Sequence, residues 1–155
     1  MSQWGWGGGY GGYGRGRGYG RGWGAGYGGP STVQMPAVPP PRPGVMRVVI
    51  ATEGNRGLDD VVAYRFARAP YMTVVDVEGG RVTDVKVYSN PAVTVARGAG
   101  IRVAQWLVSI GCRIAVGPRL GPNVAMVIEQ TRIRFEPAVP GEPVAGVLRR
   151  LGISP

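Results

Sequence analysis

Apolar and polar positions change their period several times along this chain, and each change marks an element. Residues 46–52, MRVVIAT, form a near-continuous apolar run, the pattern of a central strand covered on both faces. Residues 72–77 and 81–88 are β-rich runs on either side of Gly79-Gly80, a two-residue loop that predicts a hairpin. The second run alternates more and is more polar, which suits a strand nearer an edge. In residues 100–111 the period becomes helical. Val103, Ala104, Leu107 and Val108 fall on one face and Arg102, Gln105, Trp106 and Ser109 on the other, with Gly111 as the stop. Residues 113–117 read as a short buried strand. Residues 121–130 read as a helix with Pro122 at its first position, burying Val124, Val127 and Ile128. Residues 132–136 alternate as an edge strand should. Residues 142–151 place Val144, Val147, Leu148 and Leu151 on one stripe of a last helix.

The order is therefore β-β-β-α-β-α-β-α. Hairpins join the first three strands into an antiparallel meander. The last two strands are reached through helices, so right-handed crossovers make them parallel to the first. The two most apolar strands belong at the centre. The expected fold is an α/β sheet of order 3-2-1-4-5 with only strand 2 antiparallel.

Composition divides the chain. Of 28 glycines, 15 lie within residues 1–29, interleaved with Arg, Tyr and Trp. Such a segment has almost no aliphatic surface to offset its ordering entropy, so disorder is expected. Residues 36–43, PAVPPPRP, predict a stiff polyproline spacer. The expected division is a tail, 1–44, and a domain, 45–155. Arg15, Arg17, Arg21 and Arg42 give the tail +4, and the domain's 14 basic and 9 acidic residues give it +5. Both halves favour anionic partners. Arginines for phosphates and aromatic faces for bases would let the tail bind single-stranded nucleic acid weakly; a solubilising or self-associating tail is the plainer reading.

The chain has one cysteine, Cys112, and no histidine, which excludes an intrachain disulfide and a zinc site of the usual ligands. Cys112 reads as a buried small hydrophobe. No apolar run is long enough to span a bilayer, and the start lacks a signal peptide's apolar core, so the expected location is the cytoplasm.

In the predicted topology strands 1, 3, 4 and 5 aim their carboxyl ends at one rim, where open α/β sheets hold ligands. Two loops there run straight into helix starts, Arg97-Gly98-Ala99-Gly100 and Arg119-Leu120-Gly121-Pro122-Asn123. A helix start presents unpaired N–H groups and the positive end of the dipole, and glycine lets a ligand approach the backbone. Arg56, Arg97, Arg102 and Arg119 add charge. Together these features predict a basin for an anion, although Gly and Pro also mark ordinary turns.

Residues 98–136, GAGIRVAQWLVSIGCRIAVGPRLGPNVAMVIEQTRIRFE, resemble the core of the dinitrogenase iron–molybdenum cofactor biosynthesis family. That family includes NifX-like and NifB C-terminal-like domains and the small orange protein. ATEGNRGLDD, FARAPYMTVVDVEGGRV and SNPAV resemble its upstream motifs, so the likeness spans residues 46–152. It implies a ribonuclease H-like three-layer fold. It also implies a non-enzymatic role: binding or carrying an anionic metal–sulfur cluster, of iron–molybdenum type, or its precursor, with metallocofactor assembly or acceptor proteins as partners. The positions it points to are Gly54, Asn55, Gly57, Asn90, Pro91, Gly98, Gly100, Gly121, Pro122 and Asn123. Members that hold the cofactor are thought to use His or Cys; this chain would rely on backbone N–H groups, arginine and shape.

Other classes fare worse. A nuclease of this fold needs clustered carboxylates, one on the first strand, and that strand has none. Without histidine, Ser and Thr lack their usual activator. An interaction module is the main alternative: Trp106, on the face that should be polar, would be an exposed partner contact unless the tail, the 89–99 segment or a second subunit covers it.

Overall fold

The computed structural model describes residues 33–155. The Gly-Arg-aromatic stretch, and with it the nucleic-acid reading, lies outside the described residues.

Five strands form one sheet: β1 (Met46–Thr52), β2 (Tyr71–Glu78), β3 (Arg81–Ser89), β4 (Cys112–Gly117) and β5 (Arg134–Pro137). Their order is β3-β2-β1-β4-β5. β1 pairs antiparallel with β2 and parallel with β4, β2 pairs antiparallel with β3, and β4 pairs parallel with β5. Only β2 runs against the rest, as the alternation of strands and helical segments requires. Gly79 and Gly80 turn the hairpin at φ 62° and 76°, backbone values that glycine adopts without strain.

Three helices complete the layers: α1 (Ala99–Ser109), α2 (Pro122–Glu129) and α3 (Val144–Arg150). Side chains alternate across a strand, so β1 feeds two cores. Val48 and Ile50 join Val75, Val116, Val144, Val147 and Leu148 beneath α3. Val49 faces the other way, toward the layer of α1 and α2, and is likewise fully buried. A residue can be buried on both faces only in a central strand, hence the unbroken apolar run of β1.

Two boundaries and one helix face differ from the sequence reading, each for a local reason. β5 starts at Arg134, because Thr131 closes the end of α2 and its Oγ1 accepts from the Ile133 N–H at 3.0 Å. α3 starts after Pro143, which serves as its N-cap at φ −63°. In α1 the buried stripe is Ala99, Val103, Ala104, Trp106 and Leu107, while Val108 is half exposed. Trp106 is 5% exposed, so of the two readings the structure has the covered one and not the accessible partner contact. What covers it is the proline-rich segment: the Trp106 Nε1–H donates to the Pro36 carbonyl at 2.9 Å.

Candidate functional site

The carboxyl ends of β1, β3, β4 and β5 share one rim, as the strand directions dictate. The loops leaving it do not form a single basin.

The loop after β1 is closed on itself. It runs through Gly54, Asn55, Arg56 and Gly57 into a short 3-10 turn at Gly57–Asp59. The Asp60 carboxylate then reaches back. It accepts from the N–H of Gly54 at 3.1 Å, of Arg56 at 2.9 Å and of Val61 at 2.8 Å. The Arg56 Nε lies 3.6 Å from it. Burial raises the Asp60 pKa, but the Arg56 and Val61 N–H groups, the Arg56 charge and the Gly54 N–H outweigh it, and the net shift is downward. Gly54 has to be glycine, since a Cβ there would stand 2.6 Å from Asp60 Oδ2. Gly57 is buried at φ 66°. Asn55 is exposed. This turn already contains its anion.

Asn90 is buried and occupied. Its Nδ2 donates to the carbonyls of Ala67 and Ala69, both at 2.8 Å, and its Oδ1 accepts from the Ala92 N–H at 3.1 Å. It thereby ties the segment before β2 to the segment after β3, which continues as a 3-10 turn at Pro91–Thr94. Arg68 adds a second lace, its Nη1 donating to the Val95 carbonyl at 2.7 Å.

The two helix starts do meet. Gly98, Gly100, Gly121, Pro122 and Asn123 line one concavity of about 290 Å³, together with Ala67, Arg68, Ile101 and Val124. Gly98 is the N-cap of α1, in the left-handed region at φ 74°; Gly121 is the N-cap of α2, at φ −69° and ψ 163°. Neither has a side-chain cap, and neither first turn carries an acid. The first-turn N–H groups of any helix lack intrahelical acceptors, and a glycine N-cap offers no side chain to substitute for one. Gly100 explains the closeness of the two starts, because a Cβ there would lie 2.0 Å from Val124 Cγ2.

The predicted arginines are dispersed. Arg56 is held by Asp60, and Arg97 is exposed beside Gly98 without lining the concavity. Arg119 lines a different, larger concavity of about 1240 Å³ along β5, with Leu120, Ile128, Phe135 and Val139. That groove also holds Arg150, Glu129 and Glu142, so its charges balance and it does not select an anion. The arginine that lines the glycine concavity is Arg68, which sequence reasoning did not single out. Its signal was its place in the FARAP stretch, whose Phe66 packs edge-on against Phe135 with centroids 5.6 Å apart.

Among the described residues no group of three or more His, Cys, Asp or Glu could hold a metal ion. Cys112 begins β4, at the opposite end of that strand from the rim. Burial pushes its thiol up to about 12, and its Sγ–H donates to the Ile114 carbonyl at 3.3 Å. It is not a thiolate at neutral pH. The described residues at the glycine concavity thus offer backbone N–H groups and a guanidinium rather than a set of metal ligands. No helix among the described residues is long and apolar enough to cross a membrane.

Comparison with known proteins bears on the family and the fold. The profile of the family described as dinitrogenase iron-molybdenum cofactor matches residues 46–152. The apo form of the orange protein from Desulfovibrio gigas is 28% identical with a TM-score of 0.61, the match covering 68% of this chain and 86% of that one. A putative NifB protein from Thermotoga, solved by NMR, is 29% identical with a TM-score of 0.53, covering 66% of this chain and 84% of that one. No curated protein sequence matches significantly.

Proposed function

From the premise that the chain belongs to the dinitrogenase iron–molybdenum cofactor family, we propose that it is a non-enzymatic binding or carrier module for an anionic metal–sulfur cluster or its precursor. Its partners would be the proteins that assemble or accept that cluster, and its setting the cytoplasm. The supporting observation is the convergence of two uncapped helix starts on one glycine-lined concavity, in a domain whose other rim loop is closed by its own carboxylate. Helix dipoles and free N–H groups attract a delocalised anion, glycines let its sulfurs approach the backbone, and Arg68 supplies fixed positive charge at the wall. The chain contributes no metal ligand in this scheme. The cluster's own sulfides keep its metals coordinated, and release to an acceptor breaks only hydrogen bonds and ion pairs.

The test is anaerobic purification of the full chain, with elemental analysis and visible absorption, followed by equilibrium dialysis against tetrathiomolybdate. Near-stoichiometric retention that weakens with salt is expected. Protein that carries no metal and retains no tetrathiomolybdate at millimolar concentration would refute the carrier role.

A further inference from the structure

β1 has one charged residue, Arg47, and it is 4% exposed in an otherwise apolar strand. Burying a guanidinium costs several kcal/mol unless its donors are matched. Its Nε and Nη2 grip both oxygens of Asp76 on the neighbouring strand, at 2.8 and 3.2 Å. That fork fixes Nη1, which donates to the Pro39 carbonyl at 2.8 Å and to the Ile110 carbonyl, at the end of α1, at 2.7 Å. Trp106, one turn earlier on α1, gives its indole N–H to the Pro36 carbonyl.

Pro36 and Pro39 are three residues apart, and three residues make one turn of a polyproline helix, so their carbonyls fall on the same side. Two buried donors from two different elements therefore read the i and i+3 carbonyls of one extended segment. Pro41 closes the contact over Gly111. A Cβ at Gly111 would come 2.9 Å from Pro41 Cδ, and Gly111 also ends α1 at φ 76°. The segment expected to be a stiff spacer lies against the domain, held through its carbonyls.

We propose that the groove formed by Trp106, Arg47 and Gly111 is a recognition site for an extended proline-rich peptide of P-x-x-P spacing, and that residues 36–41 are its resident, reversibly docked ligand. The segment contributes no strand and no helix to the fold. Its polar attachments are backbone carbonyls, the groups that polyproline receptors read from their ligands. Held in cis at an effective concentration of about millimolar, the segment outcompetes free peptide. Once it is displaced, the groove accepts the same chemistry in trans.

The test uses the full chain with Pro36, Pro39, Pro40 and Pro41 changed to Ser, followed by NMR of the Trp106 indole N–H, which is assigned by its loss in Trp106→Phe. In the serine variant the indole resonance leaves its wild-type position. A peptide of residues 35–44 returns it saturably, and a peptide with the four serines does not. An unmoved indole in the variant, or no response to several millimolar peptide, overturns the proposal. Should the variant fail to fold, hydrogen exchange on the wild-type chain decides. Exchange of the Trp106 indole at least about tenfold faster than the Val49 and Ala115 amides shows separable docking; equal rates make the segment part of the core and overturn it.

Discussion

Two stretches of the same rim are built from glycine turns, and they treat their backbone donors in opposite ways. After β1, three N–H groups converge and the chain returns Asp60 to fill them. The starts of α1 and α2 share one concavity, but their glycine N-caps offer no side chain and no acid stands in either first turn. The first turn is closed by a carboxylate of its own, while the second is left open to solvent, and on the proposed function that opening is where an anion from outside would sit. Glycine content does not distinguish them. The presence or absence of an internal carboxylate does.

The largest effect should come from opening the closed turn. Asp60→Asn removes a buried negative charge and leaves at least one donor facing an amide, so a loss of about 3 kcal/mol is expected in denaturant unfolding. The pH dependence has a definite sign. The Asp60 pKa in the fold lies below its ordinary 3.8, so its stabilisation is fully present above that value and fades as pH falls through the lower folded value. The acid limb of the stability profile should flatten in the variant. An unchanged limb would mean the carboxylate is not what holds the turn. Tetrathiomolybdate uptake by the folded variant should remain, since the open site is elsewhere on the rim.

A smaller effect is expected where the open site depends on close packing. Gly100→Ala pushes a methyl group to within 2.0 Å of Val124 Cγ2 unless α1 and α2 move apart. Overpacking of this kind costs about 1–3 kcal/mol. It also spreads the two helix starts, so anion retention should fall more steeply than stability. Thermal unfolding and dialysis on the same preparation measure the two. Loss of stability with full retention would separate the helix starts from the binding role.

The strand order and the two central strands were legible because alternation and helical periodicity are properties of neighbouring residues. The glycine concavity was half legible. Gly98, Gly100 and Gly121–Asn123 stand where loops enter helices, which spacing reveals, and they do share a concavity. The arginines were not legible as a group, because a guanidinium reaches far and its direction depends on partners such as Asp60 for Arg56 or the β5 groove for Arg119. Asp60 itself was hidden, since its role arises from a turn that brings residues 54, 56 and 60 together. Trp106 was left undecided for a related reason. A helix face looks polar or apolar only against what packs on it, and a proline-rich composition does not announce that the segment docks.

The finest test converts one kind of turn into the other. Gly121 sits at the N-cap of α2 with the extended backbone that capping side chains require, and nothing lies within 4 Å of where its Cβ would stand. The following Pro122 favours that same backbone. Gly121→Asp therefore supplies the missing cap and should stabilise the domain by about 0.5–1 kcal/mol. The same carboxylate occupies the α2 donors and repels an incoming anion, so tetrathiomolybdate retention should be lost. A gain in unfolding midpoint together with loss of uptake is the expected pair. Uptake that survives a stabilising aspartate would show that the α2 start is an ordinary turn, and the contrast along the rim would then rest on α1 alone.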